Sequence, residues 1–232
     1  MRYLTSDTHL AHPFVAALRG YVRPEYAEHS PRELQSMAAN GDIDLNQAVN
    51  VGKHDERIIT MMNDTMTKHD EIYILGDLSS GSRRSMEKAV ELVSHLHVPR
   101  SNRHLILGNH DNLTRNHSSM NLLLEQFADV SMNGFITIDG RNLLMSHFQF
   151  RRHFEDDAHD DRLSTNYDAM RYARYAPVDD GHTLLLHGHT HAVEPFEFND
   201  PSELNIGYDA WRRLVSEEDI VSLMDDGRLR IK

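Results

Sequence analysis

The sequence predicts an α/β fold, and three observations predict it. Short apolar runs stop abruptly at polar residues. Amphipathic stretches with helical spacing lie between several of them. The polar stop falls at the carboxyl end of each run, where open α/β sheets gather their sites. Taken in order, Arg2–Ser6 is a strand ending at Asp7, and Glu71–Leu75 is a strand ending at Gly76-Asp77. His104–Leu107 ends at Gly108-Asn109-His110-Asp111, and Asn142–Met145 ends at Ser146-His147. Thr183–Leu186 ends at His187-Gly188-His189-Thr190-His191, and Gly134–Ile138 and Leu229–Lys232 read as further strands. Asp55–Lys68 and Ser85–His97 carry apolar residues at helical spacing, Met120–Phe127 is a shorter helix, and Ser216-Glu217-Glu218-Asp219 resembles a capping box.

The chain has 232 residues, enough for one large domain or two small ones at roughly 150 residues each. No repeat, low-complexity tract or linker divides it. We therefore expect a single domain over 1–232, with insertions at about 19–52 and 148–181, the second carrying a helix at Asn166–Ala176. The chain has no cysteine, which excludes disulfides, Cys-zinc sites, iron–sulfur clusters and thiol nucleophiles. No signal peptide and no apolar run long enough for a membrane span are visible, so we expect a cytoplasmic protein without a membrane partner. The net charge of −12 argues against wrapping a nucleic acid, and no extended surface for one is evident. Against that acidity stand 17 histidines, an unusual load of imidazoles.

Some of those histidines fall into a chemical pattern. Extended chain turns residues i and i+2 the same way, so Asp7 with His9, and His189 with His191, can each converge on one ion. Asp77 follows a glycine that permits a tight turn, Asn109 offers an amide oxygen, and His147 offers another imidazole. These seven O and N donors come without sulfur, which suits Mn, Fe, Zn, Co or Ni. Seven exceed the four of a tetrahedral site, and a carboxylate shared between two ions fits the arrangement that splits phosphate esters.

In order and spacing, Asp7-x-His9, Gly76-Asp77, Gly108-Asn109-His110-Asp111, His147 and Gly188-His189-Thr190-His191 resemble the calcineurin-like metallophosphoesterases. The likeness is nearest to small bacterial and phage-type members, which also show a Ser6-Asp7-Thr8-His9-Leu10-x-His12 start and an Asn205-Ile-Gly-Tyr-Asp209-Ala-Trp211 type segment. The resemblance implies a four-layer α/β/β/α sandwich. It implies that Asp7, His9 and His191 hold one divalent ion, Asn109, His147 and His189 another, and Asp77 bridges them, with Mn²⁺ first among the metals. It further implies a hydroxide between the ions as nucleophile, His110 as proton donor to the leaving oxygen or stabiliser of the charge growing on phosphate, and Asp111 as the group that orients or tunes His110. For the anionic substrate we expect contacts from His12, Arg151, Arg171 and Arg174, with the 148–181 insertion forming a wall of the cleft.

The function expected is a phosphodiesterase acting on small diesters such as cyclic nucleotides. A metal-dependent nuclease on DNA or RNA would need a basic groove, which is not evident. A phosphomonoesterase of the protein-phosphatase kind shows Asp-Arg-Gly after Gly-Asp, whereas this chain reads Gly76-Asp77-Leu78-Ser79-Ser80-Gly81. A non-enzymatic binding protein on the same fold would have eroded ligands, and all seven are present.

Overall fold

The computed structural model describes residues 1–111, 117–158 and 171–231. The strands in chain order are β1 (Arg2–Thr5), β2 (Glu71–Leu75), β3 (Arg103–Ile106), β4 (Asp129–Ser131), β5 (Asn133–Ile138), β6 (Arg141–Ser146), β7 (Leu184–His187), β8 (Glu203–Asn205) and β9 (Val215–Ser216). Among the described residues they form a five-stranded sheet in the order β4-β3-β2-β1-β9 and a four-stranded sheet in the order β5-β6-β7-β8. Strands β1 to β4 pair parallel and β9 closes the edge antiparallel to β1. In the second sheet β5 is antiparallel to β6, and β6, β7 and β8 are parallel.

The sheets pack face to face because successive side chains of a strand point to opposite sides, so each sheet offers one row of apolar residues to the other. Leu4, Leu75 and Ile106 of the first sheet meet Ile136, Leu143, Met145, Leu184, Leu186 and Leu204 of the second in one core. Burying each such side chain stabilises the fold by about 1.5–3 kcal/mol. The opposite face of the first sheet, with Ile72, Ile74 and Leu105, packs on helices α4 (Val51–Thr65), α5 (Arg83–Ser94) and α6 (His117–Gln126). The C-terminal helix Glu217–Asp225 adds Ile220, Leu223 and Met224 to the core between the sheets. Beyond the second sheet, helix α7 (Arg151–Ala158) is tied to β8 by Arg152 and His153, both bonded to Glu203. The two sheets are thus flanked by helices, in the α/β/β/α sense the resemblance implies.

The expected elements recur with ends shifted by a few residues, and the largest shift has a clear cause. α4 begins at Val51 because the Asn50 side chain accepts the Lys53 N–H at 3.2 Å and caps it there. Leu229–Ile231 is not a strand: Leu229 is buried against the end of the sheet core, and its N–H bonds Leu223 across a turn. Lys232 lies outside the described residues. The 19–52 insertion supplies α2 (Pro31–Asn40) and α3 (Leu45–Ala48), which form a small helical layer with the preceding α1 (Pro13–Leu18). A reciprocal capping box, Ser30 with Glu33, starts α2, and Leu34, Ala48 and Val49 pack with Ala16 and Ala17 of α1. Of the helix expected at Asn166–Ala176, residues 171–173 are helical, and 166–170 lie outside the described residues.

Candidate metal centre

Strands β1, β2 and β3 run parallel and end on one rim; β6 and β7 of the second sheet end beside it. The chain leaves each strand end through a constrained turn. Asp7, His9, Asp77, His189 and His191 all have positive φ, between 47° and 72°. The i, i+2 pairs therefore converge through alternating left-handed residues and not through extended chain, which corrects the expectation from strand periodicity. Such backbone is strained for non-glycine residues and persists where the surroundings over-determine it. Here the Asp7, His9 and Leu10 N–H groups bond the carbonyls of Gly76, Asp77 and Leu78 at 2.8–3.0 Å.

All seven expected donors come together. Asp7, His9 and His191 form one cluster, and Asp77, His147 and His189 another, with ligand-type atoms of each within 4.8 Å of one another. Asn109 joins the second, its Oδ1 3.0 Å from His147 Nε2. Asp77 Oδ2 lies between them, 3.6 Å from His9 Nε2 and 3.5 Å from His147 Nε2.

The donor set tests whether cations fit. His9 Nδ1 donates to the Ser79 carbonyl, His147 Nδ1 to the Leu75 carbonyl and His191 Nδ1 to Asp209. Their Nε2 lone pairs then face inward, those of His9 and His191 only 3.0 Å apart. Asp7 Oδ1, buried beside them, has no hydrogen-bond partner. Two clusters made of acceptors, with an orphaned buried carboxylate oxygen, are sites that divalent cations fit.

Protons fit less well. His9 and His189 are held well below the ordinary imidazole range, by burial first and neighbouring imidazoles second. His12 falls to about 4 by burial and by His110, and His187 is lowered by burial. In the unfolded chain these groups protonate near 6.5, so between pH 6.5 and about 4 the unfolded state binds more protons and stability falls with pH. His147 and His191 are raised, since carboxylates outweigh burial. Their stabilisation is complete below 6.5 and does not oppose this limb, whereas the raised carboxyls of Asp77 and Asp111 take up protons in the folded state over the same range and offset part of it. The expected result is a metal-free protein whose Tm falls from pH 6.5 to 5, as its stability drops by up to about 1.4 kcal/mol per pH unit for each net excess proton of the unfolded state. Thermal melts in chelator check it; a Tm flat or rising over that range contradicts it.

Two expected roles change. Asp111 does not orient His110. It is fully buried and accepts the N–H groups of Asp77, Leu78 and Gly108 at 2.7, 2.9 and 2.9 Å, so it braces the turn that carries Asp77. Burial, then Asp77, pushes its carboxyl up to about 6. His110 is oriented instead by the Ser80 carbonyl, which accepts from Nδ1 at 3.2 Å, with Nε2 4.0 Å from Asp77 Oδ2. Arg151 does not face substrate space: it donates to the carbonyls of Ala173, Arg174 and Ala176. Arg171 and Arg174 are exposed and lie over the rings of Tyr172 and Tyr175. Phe148, Phe154 and Tyr172 pack around His189, so the 148–181 insertion does wall that side of the centre. His12 caps α1 through Nδ1, and its ring lies 5.0 Å from that of His9 and 5.8 Å from that of His110. His153, Asp200 and Glu203 form a third cluster, but Arg152 already pairs with its acids.

Close backbone approach explains the glycine of the last motif. A Cβ on Gly188 would fall on Ser6 Oγ and Asp7 Oδ2. Gly188→Ala is expected to destabilise the protein by about 1–3 kcal/mol and to displace Asp7. Denaturant unfolding and metal content would show both, and wild-type values for each would contradict it.

Sequence reasoning missed a group behind the centre. Arg19, His54 and Asp55 are buried and linked to it, and Asp209 bonds His191. Burial would raise Asp209, yet hydrogen bonds from His191 and Arg19 hold it well below the usual carboxylate range. The one available signal was the Asn205–Trp211 segment, which gives no hint of its partner Arg19.

A family described as calcineurin-like phosphoesterase matches residues 3–226. The Gene 66 protein of Mycobacterium phage D29 is similar, 26% identical over 234 residues that cover 97% of this chain and 96% of that protein. The Gene 66 protein of Mycobacterium phage L5 is 29% identical over 193 residues, covering 78% of this chain and 85% of that one. A crystal structure of the protein of unknown function AQ665 from Aquifex aeolicus aligns over 96% of this chain and 98% of that chain, with a TM-score of 0.56. At 19% identity that likeness speaks for the fold alone. With the match running from β1 into the C-terminal helix, over every donor of both clusters, the chain belongs to the calcineurin-like phosphoesterase family, whose chemistry is metal-dependent hydrolysis of phosphoesters.

Proposed function

We propose that this chain is a phosphodiesterase for small phosphodiesters, with cyclic nucleotides the first class to test. The observation that carries the reading is Asp77 Oδ2 standing between two acceptor clusters, 3.6 and 3.5 Å from an imidazole of each. Asp7, His9 and His191 would hold one divalent ion, and Asn109, His147 and His189 the other, with Asp77 shared. Bound there, the ions supply charge neutralisation on the phosphate and activation of water near neutral pH. Manganese is the ion to load first, since the donor set is oxygen and imidazole without thiolate.

The chain's own part follows from placement. His110 Nε2 faces the shared carboxylate and is half-exposed, so it can deliver a proton to a departing oxygen. His12, with Nδ1 accepting the Val15 N–H, has Nε2–H left as a donor for a phosphate oxygen. Two flanks receive the two organic arms of a diester. One is a cleft of about 740 Å³ lined by Ala11, Pro13, Ser80 and Arg84 and by the acids Asp44, Asp55, Glu87 and Glu91, which suits an uncharged arm. The other is the wall with Tyr172 and Tyr175, where Arg171 and Arg174 are exposed. A net charge of −12 favours small anions drawn by a local dication pair over long polyanions.

The test is hydrolysis by the Mn²⁺-loaded protein of bis(p-nitrophenyl) phosphate, p-nitrophenyl phosphate, 2′,3′- and 3′,5′-cyclic nucleotides, and single- and double-stranded DNA. Diester turnover above monoester and DNA supports the reading. Preference for the monoester or for DNA replaces the substrate class, and inactivity on every ester removes the enzyme.

A further inference from the structure

Behind the centre sits a cation that the proposed chemistry does not use. Arg19 follows α1 with a side chain 2% exposed, and all five of its N–H donors are engaged. Nε and Nη2 grip the two oxygens of Asp209 at 2.9 and 2.7 Å. Nη2 also holds the Asp7 carbonyl at 2.7 Å, while Nη1 holds the Thr8 carbonyl at 3.0 Å and His54 Nε2 at 3.1 Å.

The direction of each bond is forced. A guanidinium only donates, so His54 accepts at Nε2 and carries its proton on Nδ1, which Asp55 accepts at 2.9 Å. Both oxygens of Asp55 in turn accept the Ala11 N–H, bracing the left-handed turn that follows His9. On the other side the Asp209 carboxylate accepts from Arg19 and from His191 Nδ1 at 2.8 Å, leaving the His191 Nε2 lone pair toward His9. One guanidinium therefore fixes the backbone of Asp7 and Thr8 and, through one carboxylate, the tautomer and aim of His191. The Asn205–Trp211 segment supplies that carboxylate and is itself locked: Tyr208 N–H bonds the Ser6 carbonyl, and Trp211 Nε1 bonds the Asn205 carbonyl. His147 of the second cluster is backed differently, by the Leu75 carbonyl.

We infer that Arg19 and Asp209 are a positioning pair dedicated to the Asp7, His9 and His191 ion site, so that the two ion sites rest on separately removable supports. This rests on the two-ion reading of the centre. A carboxylate behind a ligating imidazole sets its orientation and basicity, and losing one typically weakens metal binding 10–100-fold. Lysine cannot replace Arg19, having three donors where five acceptors wait.

The experiment is calorimetric titration of the metal-free protein with Mn²⁺, with Co²⁺ d–d absorption as a second readout. Wild type, Asp209→Asn, Arg19→Lys and Asn109→Ala are compared, and circular dichroism confirms that each is folded. Wild type is expected to bind two ions. Asp209→Asn and Arg19→Lys should leave one at wild-type affinity, weaken the other at least about tenfold and remove one component of the Co²⁺ spectrum. Asn109→Ala should weaken the complementary ion, and combining it with Asp209→Asn should weaken both. Equal weakening of both ions in Asp209→Asn, or no change, overturns the proposal while leaving the two-ion centre standing. Failure of the wild type to bind two ions overturns the reading of the centre, and the proposal with it. Should Arg19→Lys not fold, Asp209→Asn alone decides, because it removes charge with little change in shape.

Discussion

Asp77→Asn is expected to strip the protein of both ions and to lower kcat/KM on a phosphodiester by roughly 10³-fold or more. The estimate comes from the several kcal/mol of charge stabilisation that bound ions give a phosphoryl transition state, at about 1.4 kcal/mol per decade of rate. Asp77 Oδ1 accepts the His110 N–H at 2.8 Å, while Oδ2 faces both clusters. Asparagine keeps the size and one acceptor, so backbone support survives. What it removes is a negative charge buried between two sets of imidazoles. Burial, and then Asp7, already raise this carboxyl, which shows how much the site needs positive charge nearby. Metal analysis after dialysis, with melting temperature as the control for folding, checks it. A variant that retains two ions would show that Asp77 is not shared between them.

His110→Ala is expected to lose about 10²–10⁴-fold in kcat with both ions retained, as for removal of a general acid. The imidazole is 38% exposed at its side chain, so substrate can reach it. Its Nδ1 is engaged by the Ser80 carbonyl, leaving Nε2 as the working nitrogen. The size of the loss should depend on the leaving group. A p-nitrophenolate departs without a proton, whereas the alkoxide of a cyclic nucleotide needs one. The variant should therefore be impaired far more on the cyclic nucleotide than on bis(p-nitrophenyl) phosphate. Equal impairment on both would point to stabilisation of phosphate charge instead, and loss of metal would make His110 a ligand.

The strands that carry the donors were legible because their signal is local. An apolar run followed by Gly-Asp or Gly-Asn-His needs no knowledge of distant chain. The missed elements are those whose signal is short or borrowed. β4, β8 and β9 have two or three residues each and become strands through the neighbours that pair with them. The helices of the 19–52 insertion were hidden by prolines and glycines that read as loop. Pro31 is in fact a first-turn proline and Gly41 a left-handed C-cap, both ordinary helix punctuation.

Side-chain roles divide along the same line. Asp7, His9, Asp77, Asn109, His147, His189 and His191 could be picked out by sequence because each donor sits beside a strand end and a turn. The chemistry of oxygen and imidazole without sulfur followed from composition alone. That much the chain by itself determined: an α/β fold, the rim at its strand ends and the donors on that rim. Only the tertiary structure decided that Arg151 serves backbone carbonyls, that Asp111 braces Asp77, and that Arg19 reaches Asp209 across a separation of 190 residues. A charged residue read in isolation defaults to solvent. Burial reverses that default only when partners satisfy every donor and acceptor, and for Arg19 those partners come from three separate stretches of chain brought together by folding.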